Sequence, residues 1–490
     1  MRASSHTRPV RLINFIAYGS NDVLGAGSMA ILAGWVLFFY TRFCGLTPAQ
    51  ATIIFGVARV IDAFLSPIIG NLSDHFDRTR IGQRLGRRRV FILAAIPLLP
   101  SFALIWVPGQ NFLYYLLTYV LFEMVYAVEI IPYETLASEM SPDYATRAKF
   151  AGARIIFGQS AAIMAGYMPL WLIGWLGRDS ADTFLWMGCI FAVLFMLTAG
   201  FLYAFSWERQ RPVPQEPATG GNPIRTLYRE LFATLRVRAF RMHLGMYLGG
   251  YISQDIFNAA FIFFVVFALG GTVSLASMLM GSLYFSQLIA VIAAIQFTLR
   301  STPALVYRYG AVLFAGGLAL LLGAWWFGIG GGALFVWGAV ALAGLGRGTL
   351  NYVPWAVYNY MPDVDEIMTG QRREGSFAGV MTFVRKATQA VAVGSVGLVM
   401  QYSGFDPKAS IQTAHATQAL VAIFACGTVT ILLAGFVISL RFRLNQRTHA
   451  MLMAEIEHLR AGHDQPISPA SKIVVEDLTG VAYHRLWGRA

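Results

Sequence analysis

Twelve apolar stretches, each about 18 to 26 residues long, can cross roughly 30 Å of hydrocarbon as helices, and they leave little chain for anything else. They begin near Tyr18, Ala49, Val90, Phe112, Phe150 and Phe184, then near Met242, Ser277, Ala311, Ala333, Phe377 and His415. Unsatisfied backbone groups are costly in lipid, so runs of this length read as helices and not as buried strands. Composition points the same way. Of 490 residues, 57% are hydrophobic, 13% are charged and 48 are glycine, more apolar sequence than soluble cores absorb. The expected fold is an all-α membrane protein with twelve transmembrane helices in two six-helix bundles. Its expected divisions are an N-terminus at 1–17, bundles at 18–206 and 242–440, a linker at 207–241 and a tail at 441–490.

The net charge of +12 is not spread evenly. Arg2, Arg8, Arg11, the run from Arg78 to Arg89, Arg147, Lys149, the segment from Arg209 to Arg241, Arg300, Arg308, Arg372 and Arg373 fall in alternate loops. Only Arg42, Arg178 and Lys408 fall in the opposite set. The positive-inside rule then puts both termini in the cytoplasm, and the basic excess is topological, which argues against a nucleic-acid partner. Met1 to Ala17 is polar and basic, with no small-residue cleavage site before the first run, so the first helix is expected to stay in place. The expected location is the inner membrane, as a monomer whose surroundings are the lipid bilayer. Cys44, Cys189 and Cys426 lie in or beside apolar runs and read as small packing residues, and no zinc or haem spacing occurs.

Between the halves, Pro212 to Pro223 is a proline-interrupted linker. The segment Ile224 to Arg241 then places Ile224, Leu227, Tyr228, Leu231 and Leu235 on one helical face, as a surface helix on the inner leaflet or an ordinary solvated loop helix would. Beyond Arg441 the tail is polar, and its first part, through Leu459, reads as an extension of the last helix.

The halves repeat each other. Tyr18-Gly-Ser-Asn-Asp22 returns as Tyr251-Ile-Ser-Gln-Asp255. Pro132-Tyr133, Met140-Ser-Pro142-Asp143, Phe150-Ala-Gly and Arg154 return in order as Pro354-Trp355, Met361-Pro362-Asp363, Phe377-Ala-Gly and the pair Arg385-Lys386. Repeated halves with matched intramembrane charges are the pattern of a two-lobed transporter. Asp22, Arg59, Asp62, Glu129, Glu134, Arg154, Asp255, Arg347, Arg385 and Lys386 all fall in or at the ends of apolar runs. A charge at the bilayer centre costs about 2.5 to 3.5 kcal/mol, so these groups should pair with one another or face a watery path. Glu123, Glu134 and Arg347 are expected nearer helix ends, where long side chains reach the interface.

Several ordered motifs carry a family resemblance. Arg59-Val-Ile-Asp62-Ala-Phe-Leu-Ser66-Pro67-Ile-Ile-Gly70, Ser73-Asp74, Gly86-Arg87-Arg88-Arg89 and Thr369-Gly370-Gln-Arg372-Arg373-Glu374-Gly375, with Lys386 beyond, resemble the glycoside-pentoside-hexuronide cation symporters of the major facilitator superfamily. Tyr18 to Asp22 and Phe39-Tyr40-Thr41 resemble that family's first helix. The resemblance implies the major facilitator fold and a central path taking a sugar together with Na+ or H+, with no bound cofactor. Residue by residue, it assigns Asp62 to the cation, with Ser66 standing where a second aspartate is expected and Ile130 where a further acid is expected. Asp22 and Glu129 join Asp62 as cation-coupling candidates, and Glu129 or Glu134 are candidates for the missing carboxylate. Arg154 and Lys386 match the family's helix V arginine and helix XI lysine and are read as occupying corresponding places in the two halves. With Asp255, Tyr126, Arg385, Tyr133 and Trp355 they form the substrate-binding set, the last two by stacking on a sugar face or by simple helix packing. Asp74, Arg78, Arg87, Arg88, Asp363, Arg372 and Arg373 form a gating set at the cytoplasmic loops. Lys386 close to Asp62 would compete with the cation. The rival cargo is a lysolipid, and the rival class is a non-transporting receptor. An enzyme is not expected, because no nucleophile–base pair, metal triad or phosphate loop is present.

Overall fold

The computed structural model describes residues 9–74, 76–141, 143–177, 180–208, 233–370, 374–407, 409 and 411–488. Arg2, Arg8, Arg178, Arg372, Arg373, Lys408 and most of the linker and its amphipathic segment lie outside the described residues. Among the described residues there is no strand. The long helices are α1 (Leu12–Arg42), α2 (Pro48–Asp74), α3 (Arg89–Leu104), α4 (Phe112–Met140), α5 (Tyr144–Leu176), α6 (Ala181–Phe205), α7 (Arg238–Ala268), α8 (Val273–Arg300), α9 (Pro303–Trp326), α10 (Leu334–Tyr358), α11 (Glu374–Tyr402) and α12 (Ala414–Arg441).

Nine of these are, among the described residues, long and apolar enough to cross a membrane. The other three depart from the expected pattern for separate reasons. α3 is short and broken by a 3-10 turn at Ile96–Leu98, because Pro97 and Pro100 remove two backbone donors. α10 carries Arg347 and Asn351 along its length, and α11 carries Arg385, Lys386 and Gln389, so both are less apolar than their neighbours. α7 starts at Arg238, earlier than the apolar run implies, and takes the last basic residues of the linker into its first turn.

Helix starts follow local capping chemistry. Asn111 accepts from the Tyr114 N–H at the head of α4, Asp143 from Thr146 at the head of α5, and Thr272 from Leu275 at the head of α8. Gly177 closes α5 in the left-handed conformation, at a φ of 70°. Outward faces expose large apolar side chains such as Leu117, Leu197, Ile292, Val312 and Leu433, which is the surface a bilayer solvates.

Within each half, α1 packs on α5 and α2 on α4, while α7 packs on α11 and α12, and α8 and α9 on α10. Among the described residues, three helix pairs join the halves, most extensively α2 with α11 and α5 with α8, and also α1 with α7. The second pair meets backbone to backbone: a methyl on Gly166 would lie 2.7 Å from the Gly281 Cα. Ser277 donates to the Gly166 carbonyl at 2.6 Å and accepts from the Leu170 N–H at 3.0 Å. Arg42 donates to the Pro407 carbonyl at 2.7 Å, and the rings of Phe38 and Phe263 lie 5.5 Å apart. These contacts sit toward the end of the molecule where α2 and α8 begin.

The tail does not extend α12. Phe442 is extended and buried, and Asn445 caps a separate helix, α13 (Gln446–Arg460), followed by α14 (Pro469–Thr479). Both fold back on the short helix Met361–Thr369 that links α10 to α11. His449 Nε2 lies 2.8 Å from Asp363 Oδ2, Arg460 pairs with Glu366, and the Trp487 N–H donates to the Ile367 carbonyl at 2.9 Å.

Candidate functional site

The repeated motifs meet in space as two matching assemblies. In the first half, Asp22 of α1 accepts from Arg154 Nε of α5 at 2.8 Å. Arg154 also pairs with Glu134 of α4 at 3.0 Å and lies over the Tyr133 ring at 5.4 Å. Tyr133 donates to the Tyr18 carbonyl at 2.9 Å, and Asn21 donates to Glu129 at 2.8 Å. Asp22 immediately precedes a π-helical turn, Val23–Gly27, and Gly158 of α5 faces its carboxylate so closely that a Cβ there would overlap it.

In the second half, Asp255 of α7 binds Arg385 of α11 at 2.5 Å and 2.9 Å and accepts from Gln389 at 3.1 Å. Arg385 lies over the Tyr251 ring at 5.2 Å, and Trp355 of α10 donates to the Tyr251 hydroxyl at 2.9 Å. Gln254 donates to Asn351 at 3.0 Å, just where Asn21 meets Glu129 in the first half. The counterpart of Arg154 is therefore Arg385, not Lys386. α11 reaches Asp255 one helical turn later than the spacing in α5 implies, which leaves Lys386 free to turn toward the other half.

Lys386 crosses that boundary. Its Nζ lies 2.5 Å from Asp62 Oδ2 of α2 and donates to Ser66 Oγ at 2.7 Å, while Ser66 donates to Asp62 Oδ1 at 3.1 Å. Arg59 of α2 lies 3.9 Å from Asp62 and 3.2 Å from Glu123 of α4. Asp62 and Glu123 are wholly buried, so two carboxylates and two cations form one dry network linking α2, α4 and α11. Tyr126, one turn beyond Glu123, is half-buried within electrostatic reach of Arg59 and Asp62.

Several sequence expectations change here. Glu123 and Arg347 are not near helix ends; both lie mid-helix with almost no exposed surface. Glu123, rather than Glu129 or Glu134, is the acid that joins Asp62 through Arg59. The signal was present in the sequence, since an acid in mid-helix needs a cation and Arg59 is the one α2 offers. Glu129 is enclosed with Asn21, and Glu134 is half exposed beside Arg154. Tyr133 is fully buried as a packing residue, whereas Trp355 is half exposed.

Among the described residues, the basic run before α3 binds acids of the first half. Arg87 pairs with Glu139, Arg88 reaches Glu139 at 2.9 Å, and the Arg88 and Arg89 N–H groups donate to Glu208, tying the head of α3 to the ends of α4 and α6. Asp363 is held by His449 from the tail. Arg78 is exposed at the end of the turn Phe76–Arg78, and Asp74 is the last residue of α2. Among the described residues no group of three or more His, Cys, Asp or Glu could hold a metal ion.

Residues 17–446 match the family of MFS/sugar transport proteins. The chain belongs to that family. It is similar over most of its length to a glucuronide carrier protein homolog of Escherichia coli, 25% identical over 92% of this chain and 97% of that one. It is likewise similar to the isoprimeverose transporter of Lactiplantibacillus pentosus, 24% identical over 94% and 96%. Among solved structures, the nucleoside transporter NupG superposes with a TM-score of 0.57 at 14% identity, covering 86% of this chain and 98% of that one. A proton-dependent oligopeptide transporter gives 0.59 at 12% identity, covering 91% and 100%. The fold is that of the major facilitator superfamily, and the protein is a multi-pass membrane transporter of small molecules, not an enzyme.

Proposed function

We propose that the protein couples sugar movement to H+ or Na+ by alternating access, with the Lys386–Asp62 pair as the coupling element. The carrying observation is that this pair joins α2 of one half to α11 of the other, at 2.5 Å, with the Asp62 carboxylate wholly buried and the Lys386 side chain mostly so. A cation arriving at Asp62, either a proton on the carboxylate or Na+ beside it, releases the Lys386 ammonium. The released ammonium loosens the contact between the halves and leaves a donor for a sugar hydroxyl. Ser66 supplies a hydroxyl where an aspartate would add a second negative ligand, which favours the proton over Na+. Arg154, Glu134 and Trp355 are the partly exposed polar groups of the matched assemblies and line the path for the sugar.

α3, α10 and α11 cross the membrane with the nine more apolar helices, giving twelve crossings in two bundles at 18–206 and 242–440. Contacts between the halves gather toward one end, which corresponds to a state open toward the basic loops. The uneven distribution of Lys and Arg supports an inner-membrane protein with both termini in the cytoplasm.

Proteoliposome uptake across a panel of radiolabelled glycosides, hexuronides and lysolipids, with imposed pH or Na+ gradients, tests this reading. Gradient-driven accumulation of a sugar that disappears in Asp62→Asn is expected. Accumulation unchanged in that variant removes Asp62 from coupling, and uptake of lysolipids alone removes the sugar.

A further inference from the structure

Among the described residues, four cations along the helices meet a carboxylate and a fifth, more deeply buried than Arg154, Arg385 or Lys386, does not. Arg59 meets Glu123, Arg154 meets Asp22, Arg385 meets Asp255 and Lys386 meets Asp62, each within 3.2 Å. Arg347 of α10 meets no carboxylate among the described residues. Its Nε donates to Gln254 Oε1 at 3.3 Å, its guanidinium lies 5.2 Å from the Phe257 ring and 5.8 Å from the Tyr284 ring, and one terminal nitrogen has no partner while fully enclosed.

Local packing holds it there. Gly344 and Gly348 flank Arg347 and bring α10 against the α8 backbone, since a Cβ at either would collide with the Leu283 or Gln287 carbonyl. Gln254 is fixed with its amide nitrogen on the Gly250 carbonyl and Asn351, so only its oxygen faces the arginine. One turn beyond Tyr284, Gln287 reaches Gln159 of α5 at 3.5 Å. That face of α8 therefore borders the boundary between the halves, where a two-lobed transporter takes its cargo.

Asp255 acts on Arg347 only from a distance and the Tyr284 side chain is its other polar neighbour, so the enclosed guanidinium has a donor to spare and no ion-pair partner. That is costly to keep, and the planar donor set matches a carboxylate or sulfonate. We propose that Arg347 anchors the negative group of the cargo, so that the transported sugar is anionic: a hexuronide or sulfonated sugar rather than a neutral glycoside. The inference rests on the sugar-transport reading above and specifies its cargo. The anion completes a fifth ion pair as it enters, and the halves close around it.

The test uses the full chain in proteoliposomes, measuring counterflow of radiolabelled 4-nitrophenyl β-glucuronide against the matched neutral β-glucoside. Wild-type protein is expected to prefer the glucuronide. Loss of a charge-assisted bond in Arg347→Gln should lower the glucuronide-to-glucoside ratio of kcat/KM by about ten- to hundredfold, through KM, with Arg347→Lys intermediate. A wild-type preference for the glucoside, or an unchanged ratio in Arg347→Gln, overturns the assignment while leaving sugar transport standing; movement of neither sugar overturns the transport reading itself. Thermal stabilisation of the purified protein by glucuronate and not by glucose, lost in Arg347→Gln, is expected without reference to flux. Equal stabilisation of wild type and either Arg347 variant overturns the anchor even if a variant folds too poorly to transport.

Discussion

A double-mutant cycle on Asp62 and Lys386 separates their mutual attraction from everything else each side chain does. At 2.5 Å the pair attracts with about 7 kcal/mol at an effective dielectric of about 20, and Arg59 at 3.9 Å adds about 4 kcal/mol of gross attraction to the same carboxylate. Desolvation of four enclosed charges offsets most of this, so the quantity that survives is the penalty for stranding a partner, about 3 to 5 kcal/mol. Asp62→Asn leaves two cations facing Glu123 alone; Lys386→Met leaves two carboxylates facing Arg59 alone. Together they restore one of each. Unfolding in mixed micelles by SDS titration, followed by tryptophan fluorescence, should show each single variant destabilised by about 3 kcal/mol or more and the double variant no worse than either. Losses in the double variant equal to the sum of the singles, within about 0.5 kcal/mol, would refute the network as described.

Two further outcomes follow from the periphery. Truncation at Asn445 removes the His449, Arg460 and Trp487 contacts from the helix Met361–Thr369, so limited proteolysis should cut within that helix at least tenfold faster than in the full chain, while His449→Ala alone gives a smaller increase. Burial pushes the Cys44 thiol up to about 12, against a weaker opposing pull from the Tyr115 hydrogen bond. A raised value means the thiolate is scarce at neutral pH and grows only as pH approaches it, so maleimide labelling of Cys44 should be slow at pH 7 and rise steeply above pH 9.

Apolar length, basic loops and the doubled motifs made the class, the two-lobed plan and the identity of most polar core residues legible, because lipid forces spans to be long and makes every core charge conspicuous. Partner choice was less legible. Which of Arg385 and Lys386 faces Asp255 depends on a one-turn difference in how α11 meets α7, and adjacent residues on a helix differ by about 100° in direction. Glu123 and Glu129 posed the same difficulty, since only the rotation of α4 about its axis decides which of them meets Arg59 and which meets Asn21. The tail was hidden for another reason. Its docking uses Asp363, which in the sequence reads as a gating residue, and Glu366, which looks like ordinary loop polarity, and the capping residue Asn445 is a quiet signal beside an apolar run that could simply have continued.

The touching backbones of Gly166 and Gly281 act as a fulcrum. The Gly166 backbone meets Gly281 directly, with the Tyr167 ring packed beside it, so the two helices cannot slide past each other without breaking the bonds of Ser277, and rolling is the motion left to them. The pivot lies near one end of α5, with about 33 Å of helix between Gly166 and Tyr144 on the other side. A roll of about ten degrees swings that far end by about 6 Å while the pivot hardly moves, enough to admit a sugar. The short arm seals and the long arm opens, so a small loss of contact near the fulcrum is geared up into a wide mouth at the opposite face.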